Sequence, residues 1–172
     1  MKSTVLIRAF ASQDADQVRD LFVRVNRLLA PADLKQAFED YIAASLTEEI
    51  DRIEAYYGDR EGGFWVAELD RRLVGMFGLE PASVSAMELR RMYVEPEARR
   101  RGIARAMLDY AEDECRRRGR PALELSTSEL QKDALSFYRS AGYQLVREEV
   151  ATSASNKTLG GGIRRYHFIK RL

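Results

Sequence analysis

The chain has 172 residues, 45% hydrophobic and 32% charged, with a net charge of +1. That is room for one core and short for two, and the near-neutral balance argues against a dedicated nucleic-acid binder. One cysteine excludes an internal disulfide and a cysteine-based zinc cluster; one histidine excludes a histidine-rich metal site and forces any Ser-His-Asp triad through His167.

The start of the chain, Met1 to Val5, lacks the apolar run of a signal peptide. No stretch approaches the ~20 apolar residues of a membrane span, so a cytoplasmic protein with no membrane partner is expected by default. Residues 5–9 read as a first strand. Ser12 suits a helix N-cap, with Asp14 and Asp16 in or near the first turn. Val18, Leu21, Phe22, Val25, Leu28 and Leu29 recur at helical spacing until Pro31 breaks the pattern. Leu34, Phe38, Tyr41, Ile42, Leu46, Ile50 and Ile53 continue as a second helical run that stops at Gly58. The expectation is a pair of early helices packed together.

Alternation begins at Gly63. Residues 64–69 and 73–79 flank Asp70-Arg71-Arg72 and read as a hairpin, and residues 87–94 as a third strand of this group. Ile103, Met107, Tyr110, Ala111 and Cys115 form one face of a helix that ends before Gly119-Arg120-Pro121. A short strand follows at 122–125. A further helix carries Ala134, Leu135, Phe137, Tyr138 and Ala141 and closes at Gly142; strands at 143–150 and 163–169 end the chain. The stretch 151–162 between them is small, polar and glycine-rich and reads as a loop. The order β-α-α-β-β-β-α-β-α-β-β is a mixed α/β domain over residues 1–172, built around one sheet.

The most informative segment is Arg99-Arg100-Arg101-Gly102-Ile103-Ala104, which follows a strand and the turn Glu95-Pro96-Glu97 and opens a helix. A helix N-terminus presents unpaired N–H groups and the positive end of the dipole, and phosphate oxygens are their natural acceptors. Gly102 admits a ligand to the backbone, Ala104 keeps the next turn slim, and nearby arginines add charge-assisted bonds. The pattern fits a diphosphate ligand or a solvated basic helix end. No P-loop and no dinucleotide-binding glycine pattern is present.

Leu89 to Pro96 followed by Arg99 to Ala104 resembles the central motif of GNAT acetyltransferases, a strand followed by [QR]-x-x-G-x-[GA], with Arg99, Gly102 and Ala104 at its fixed positions. Ala134, Phe137-Tyr138 and Gly142-Tyr143 resemble that family's second motif. Gln131 stands where many members carry Asn. The run Leu125 to Gln131, with Ala134 and Tyr138, is similar to the camello-like branch, whose members acetylate cysteine conjugates or protein amines.

The resemblance implies direct transfer of acetyl from acetyl-CoA to an amine, without a metal. It implies Glu88 as general base, with Glu80 as the alternative, and Tyr138 as the acid that protonates the departing thiolate. Backbone groups of Met92, Tyr93 and Val94 would pair with pantetheine. The amides of Arg100, Arg101, Gly102, Ile103, Ala104 and Arg105 would take the pyrophosphate, with Gln131 and Ala134 beside the cofactor. Alternation would put Glu88 on one face with Arg90, Met92 and Val94. A non-catalytic CoA-binding sensor or scaffold is the alternative reading, and a homodimer is compatible with the chain. Cys115, Trp65 and Phe64 are expected in the core, and Arg116 to Arg118 suit a helix C-terminus.

Overall fold

The computed structural model describes residues 4–155 and 158–172. Met1, Lys2 and Ser3 of the N-terminal start, and Asn156 and Lys157 of the expected 151–162 loop, lie outside the described residues. The strands are β1 (Leu6–Ala9), β2 (Gly63–Leu69), β3 (Arg72–Ser83), β4 (Ala86–Val94), β5 (Ala122–Ser128), β6 (Gln144–Ala151) and β7 (Ile163–Arg171). They form one 7-stranded sheet in the order β1-β2-β3-β4-β5-β7-β6. The helices are α1 (Ala15–Leu29), α2 (Lys35–Glu48), α3 (Ile53–Asp59), α4 (Ile103–Arg117) and α5 (Ala134–Ser140). Neighbouring strands are antiparallel except β4 and β5. A parallel pair needs a long crossover, and α4 supplies it. This is the mixed α/β fold expected from the periodicity.

Apolar stripes decide which face each helix covers. Val18, Leu21 and Phe22 of α1, Ile42 of α2 and Tyr57 of α3 pack on Val66 and Met76. On the opposite face Ile103, Met107, Leu108, Ala111 and Cys115 of α4 pack on Phe77, Leu79, Met87 and Leu123. Cys115 is sealed in that layer, and burial pushes its thiol up to about 11, as suits a packing residue. Among the described residues no helix is long and apolar enough to cross a membrane.

Two local expectations are corrected. Ser12 begins a short 3-10 turn, Ser12–Asp14, and caps nothing with its side chain. Asp14 does the capping work: its carboxylate accepts the Ala11 N–H at 2.8 Å and is gripped by both terminal nitrogens of Arg8. The second helical run is two helices, because the chain leaves helical geometry at Glu49 (φ −138°, ψ −61°) and passes through a 3-10 turn, Ile50–Arg52, before α3. The periodicity continues across the break because both helices bury the same side.

Gly78 on β3 has a steric role. An added Cβ would stand 2.4 Å from the Tyr57 hydroxyl and 2.6 Å from its ring. The glycine lets Tyr57 lie flat across the strand and reach Glu49, to which its hydroxyl donates at 2.8 Å. Gly78→Ala is expected to destabilise the protein by about 1–3 kcal/mol through overpacking. Urea unfolding measures this, and a midpoint equal to the parent's would show that the ring has room to move.

Candidate active site

The site is organised by a bulge in β4. Met76 pairs with Tyr93 and Gly78 with Arg90, so Arg91 and Met92 together face the single residue Phe77. Arg91 takes a φ of +53°, a left-handed value that a residue with a Cβ adopts at a cost of about 1–3 kcal/mol. The bulge shifts the alternation of the strand. Glu88, Arg90, Arg91 and Tyr93 turn toward the α1–α3 side, while Met92 and Val94 pack with the α4 layer. This corrects the expected common face of Glu88, Arg90, Met92 and Val94: strict alternation fails where one strand carries an extra residue.

Glu49 holds the bulge. Its side chain has 0% exposure. Oε1 accepts from Arg90 Nη2 at 2.5 Å and Arg91 Nη2 at 3.1 Å, and Oε2 from Arg91 Nε at 2.9 Å and the Tyr57 hydroxyl at 2.8 Å. Arg91 also donates to the Tyr41 hydroxyl at 2.7 Å. Burial alone would raise the Glu49 carboxyl. The Arg91 and Arg90 charges outweigh it and hold the carboxyl below its ordinary value of 4.5. The sequence reading missed Glu49. The available signal was its place just past the end of α2, one turn beyond Ser45 and continuing the buried stripe of Phe38 and Ile42, where a carboxylate demands a buried cation.

Strands β4 and β5 pair only from Ala86↔Ala122 to Glu88↔Glu124. Beyond that they part, leaving the β5-facing edge of β4 without a strand partner from Leu89 onward. The opening is a cavity lined by residues 88–93 of β4 and 125–128 of β5, with Gln131, Ala134 and Tyr138 on one side and Asn26, Leu29, Phe38 and Tyr41 on the other. Six of the expected site residues therefore meet: Glu88, Met92, Tyr93, Gln131, Ala134 and Tyr138. Glu80 does not line the cavity. It stands opposite Glu88 across the β3–β4 pair, and Arg90 lies between them, 3.5 Å from Glu80 and 3.6 Å from Glu88. That cation offsets the repulsion of like charges on paired strands.

Tyr138 is buried among Phe137, Tyr143 and Phe168. Burial first, and Tyr93 second, push its hydroxyl well above its ordinary value of 10, so the group stays protonated at neutral pH. Among the described residues its hydroxyl has no hydrogen-bond partner. Gln131 Oε1 accepts the Thr127 hydroxyl at 2.5 Å, which fixes that side chain at the cavity wall.

Val94 ends β4, and the chain passes through a short turn, Pro96–Ala98, to the arginine-rich segment. Arg24 anchors this turn by a fork onto Glu95 at 2.6 and 2.9 Å. Arg100 (φ +63°) and Gly102 (φ +76°) then curl the backbone in front of α4, whose first turn leaves its N–H groups unpaired. An added Cβ at Gly102 meets nothing within 4 Å, so the approach to these amides is open. Arg99, Arg100 and Arg101 are exposed, and Arg105 pairs with Asp109 at 3.1 Å. Ile103 is in the core and offers only its backbone. None of residues 99–105 lines the cavity itself; they stand beyond the end of the strand that does.

Both the sequence and the fold have counterparts among known proteins. Residues 31–143 match the model of the Acetyltransferase (GNAT) family. The chain belongs to this family. It is 30% identical to human N-acetyltransferase 8 over 116 residues, 64% of this chain and 51% of that protein. Rat N-acetyltransferase 8 is 32% identical over 66% of this chain and 54% of its own length. The chain thus spans about half the length of the curated relatives it matches, which are consistent with the camello-like branch. The fold is that of PaiA N-acetyltransferase from Thermoplasma acidophilum, solved in complex with coenzyme A: TM-score 0.76, 18% identity, 98% of this chain and 99% of that one.

The buried cluster yields a test. Glu49→Gln nearly preserves shape but leaves Arg91 buried without its carboxylate, and a loss of about 3–5 kcal/mol at neutral pH is expected. A carboxyl with a depressed folded pKa contributes stability above its unfolded value, and loses it as pH falls through the folded one. Below pH 4.5 the parent should therefore lose stability more steeply than the variant. Parallel losses, read by urea unfolding across pH, would show that the Glu49 pairing is not what acid disrupts.

Proposed function

We propose that the protein transfers an acetyl group from acetyl-CoA directly to an amine. The observation that carries the reading is the parting of β4 and β5 beside a protonated, unpartnered Tyr138 hydroxyl. The open β4 edge at Met92, Tyr93 and Val94 would receive pantetheine as an added strand. The amides of residues 100–105 would receive the pyrophosphate, and Gln131 and Ala134 would border the same ligand. Structures of this fold with CoA or acetyl-CoA bound, from Thermoplasma acidophilum and Salmonella typhimurium, support that choice of ligand.

Acetyl-CoA supplies a thioester. An alkyl ammonium with a pKa near 10 must lose a proton before nitrogen can attack. Glu88 is the base in this reading, since it lines the cavity and Glu80 does not. The new C–N bond forms as the C–S bond breaks, Tyr138 donates its proton to the departing sulfur, and the second proton shed by the nitrogen as the amide forms restores the phenol through solvent. Arg90 steadies the Glu88 carboxylate, which is 24% exposed.

Thermal shift with acetyl-CoA and a thiol-release assay against a panel of amines test the whole reading. Binding without release from any amine would favour a CoA-binding sensor or scaffold. Tyr138→Phe is expected to lower kcat by about 10² or more with acetyl-CoA affinity retained, and Glu88→Gln to lower it by about 10² to 10⁴. Loss of acetyl-CoA binding with turnover preserved would instead make Tyr138 a cofactor-packing residue.

A further inference from the structure

A second cavity, of about 920 Å³, lies against β5, β7 and β6. Glu88 lines both this cavity and the one beside Tyr138, whereas Glu124 lines the second alone. The two glutamates are Cα partners and form the last pair before β4 and β5 part. Paired residues of neighbouring strands share a face and stand about 5 Å apart. Two carboxylates therefore stand side by side where the cavities meet.

Their charges are not balanced. Arg90 stands 3.6 Å from Glu88, but it also serves Glu49 and Glu80. Among the described residues the Glu124 carboxylate has no hydrogen-bond or ion-pair partner. The other charged groups lining its cavity are Arg147 and Glu149 of β6 and Arg165, His167, Lys170 and Arg171 of β7. Lys170 is held by Glu112 at 2.9 Å, His167 by Glu149 at 2.7 Å and Arg165 by Ser126 at 2.9 Å. Directly across from Glu124 lie Ile169 of β7 and, beyond it, Gln144 of β6, neither of them charged. Like charges on paired strands repel. Two carboxylates with a share in one cation are short of positive charge, and a proton supplies it.

We propose that Glu124 is the exit for the proton that Glu88 takes from the amine. The ammonium gives one proton to the Glu88 carboxylate and becomes the free amine. The Glu88 carboxyl passes that proton to the Glu124 carboxylate, directly or through one water, and is a carboxylate again. Glu124 then releases it to water in the second cavity, which Tyr138 does not line. Glu124 touches no reactant and acts only through Glu88. This rests on the transferase reading above and deepens it: the base is one member of a pair.

Thiol release is measured with acetyl-CoA and 2-phenylethylamine, S-benzylcysteine or a lysine-containing peptide, and the fastest of the three serves for the variants. Glu124→Gln is expected to lower kcat roughly 5- to 50-fold, less than the loss of the base itself, with the acceptor KM little changed. The deficit should shrink as pH rises, because more of the amine is then already free. Added imidazole should restore part of the rate by carrying the proton away, and Glu124→Asp should keep part of it. Groups that act in series are not additive, so the double variant with Glu88→Gln should be no slower than Glu88→Gln alone. Thermal shift with acetyl-CoA certifies the fold of each variant. Should Glu124→Gln fail there, the pH and imidazole responses of Glu124→Asp decide instead. An unchanged kcat, a deficit equal at every pH and indifferent to imidazole, or losses that multiply in the double variant overturn the proposal while the transferase reading stands. No thiol release with any of the three acceptors overturns both.

Discussion

The Glu49 carboxylate lies in the interior between two guanidiniums, and the geometry of the site follows from how those charges are satisfied. Ion pairs in a low-dielectric interior are strong only if both partners are well placed and their remaining hydrogen-bonding atoms are occupied. Glu49 meets its half of this condition, with both oxygens engaged by Arg90, Arg91 and Tyr57, while Arg90 Nε is buried with no acceptor among the described residues. Satisfying it ties the end of α2 to β4, and through Tyr57 and Gly78 to α3 and β3. It also compensates for the left-handed backbone of Arg91. A neutral residue at either end would leave nothing to hold an extra residue in the middle of a central strand.

What the bulge does depends on where it falls. Glu88 lies before it and is the last β4 residue paired with β5. Met92, the second residue of the bulge, and Val94 beyond it turn away from the α1–α3 side. One irregularity therefore separates a charged segment that faces the cavity from a segment whose open edge is backbone. Arg90, adjacent to the bulge, is shared by Glu49, Glu80 and Glu88. The same cation thus links the structural carboxylate to the one at the cavity wall, and if Glu88 is the base proposed above, that restraint would hold it in place for the transfer.

The fold was legible because its information is local. Apolar stripes at 3.6-residue spacing identified α1 and α4, and alternation around Asp70-Arg71-Arg72 identified the β2–β3 hairpin. The irregular segment that leads into α4 was legible for the same reason: strand, turn, arginines and glycine are contiguous, from Val94 to Ala104. What stayed hidden needed distant partners. Ser12 looked like a cap, but Asp14 won because Arg8 stands beside it in space. The face of Met92 depended on a register shift against β3. Glu49 drew no notice in the sequence because its partners, Arg90 and Arg91, lie about forty residues away.

The two walls of the cavity differ in a way that suits a reaction that takes a proton from one end and delivers one to the other. Around Tyr138 the neighbours are aromatic, and burial keeps the phenol protonated. Around Glu88 the neighbours are ionic, and Arg90 balances the carboxylate. An apolar surround disfavours any charge that arises there, so in the proposed transfer a thiolate leaving beside Tyr138 would take a proton at once. An ionic surround tolerates an ammonium long enough for it to lose one. The division follows directly from the fold: α5 and the end of β7 bring aromatics from the α4 side, while β4 brings the charges that Glu49 gathers on the α1–α3 side.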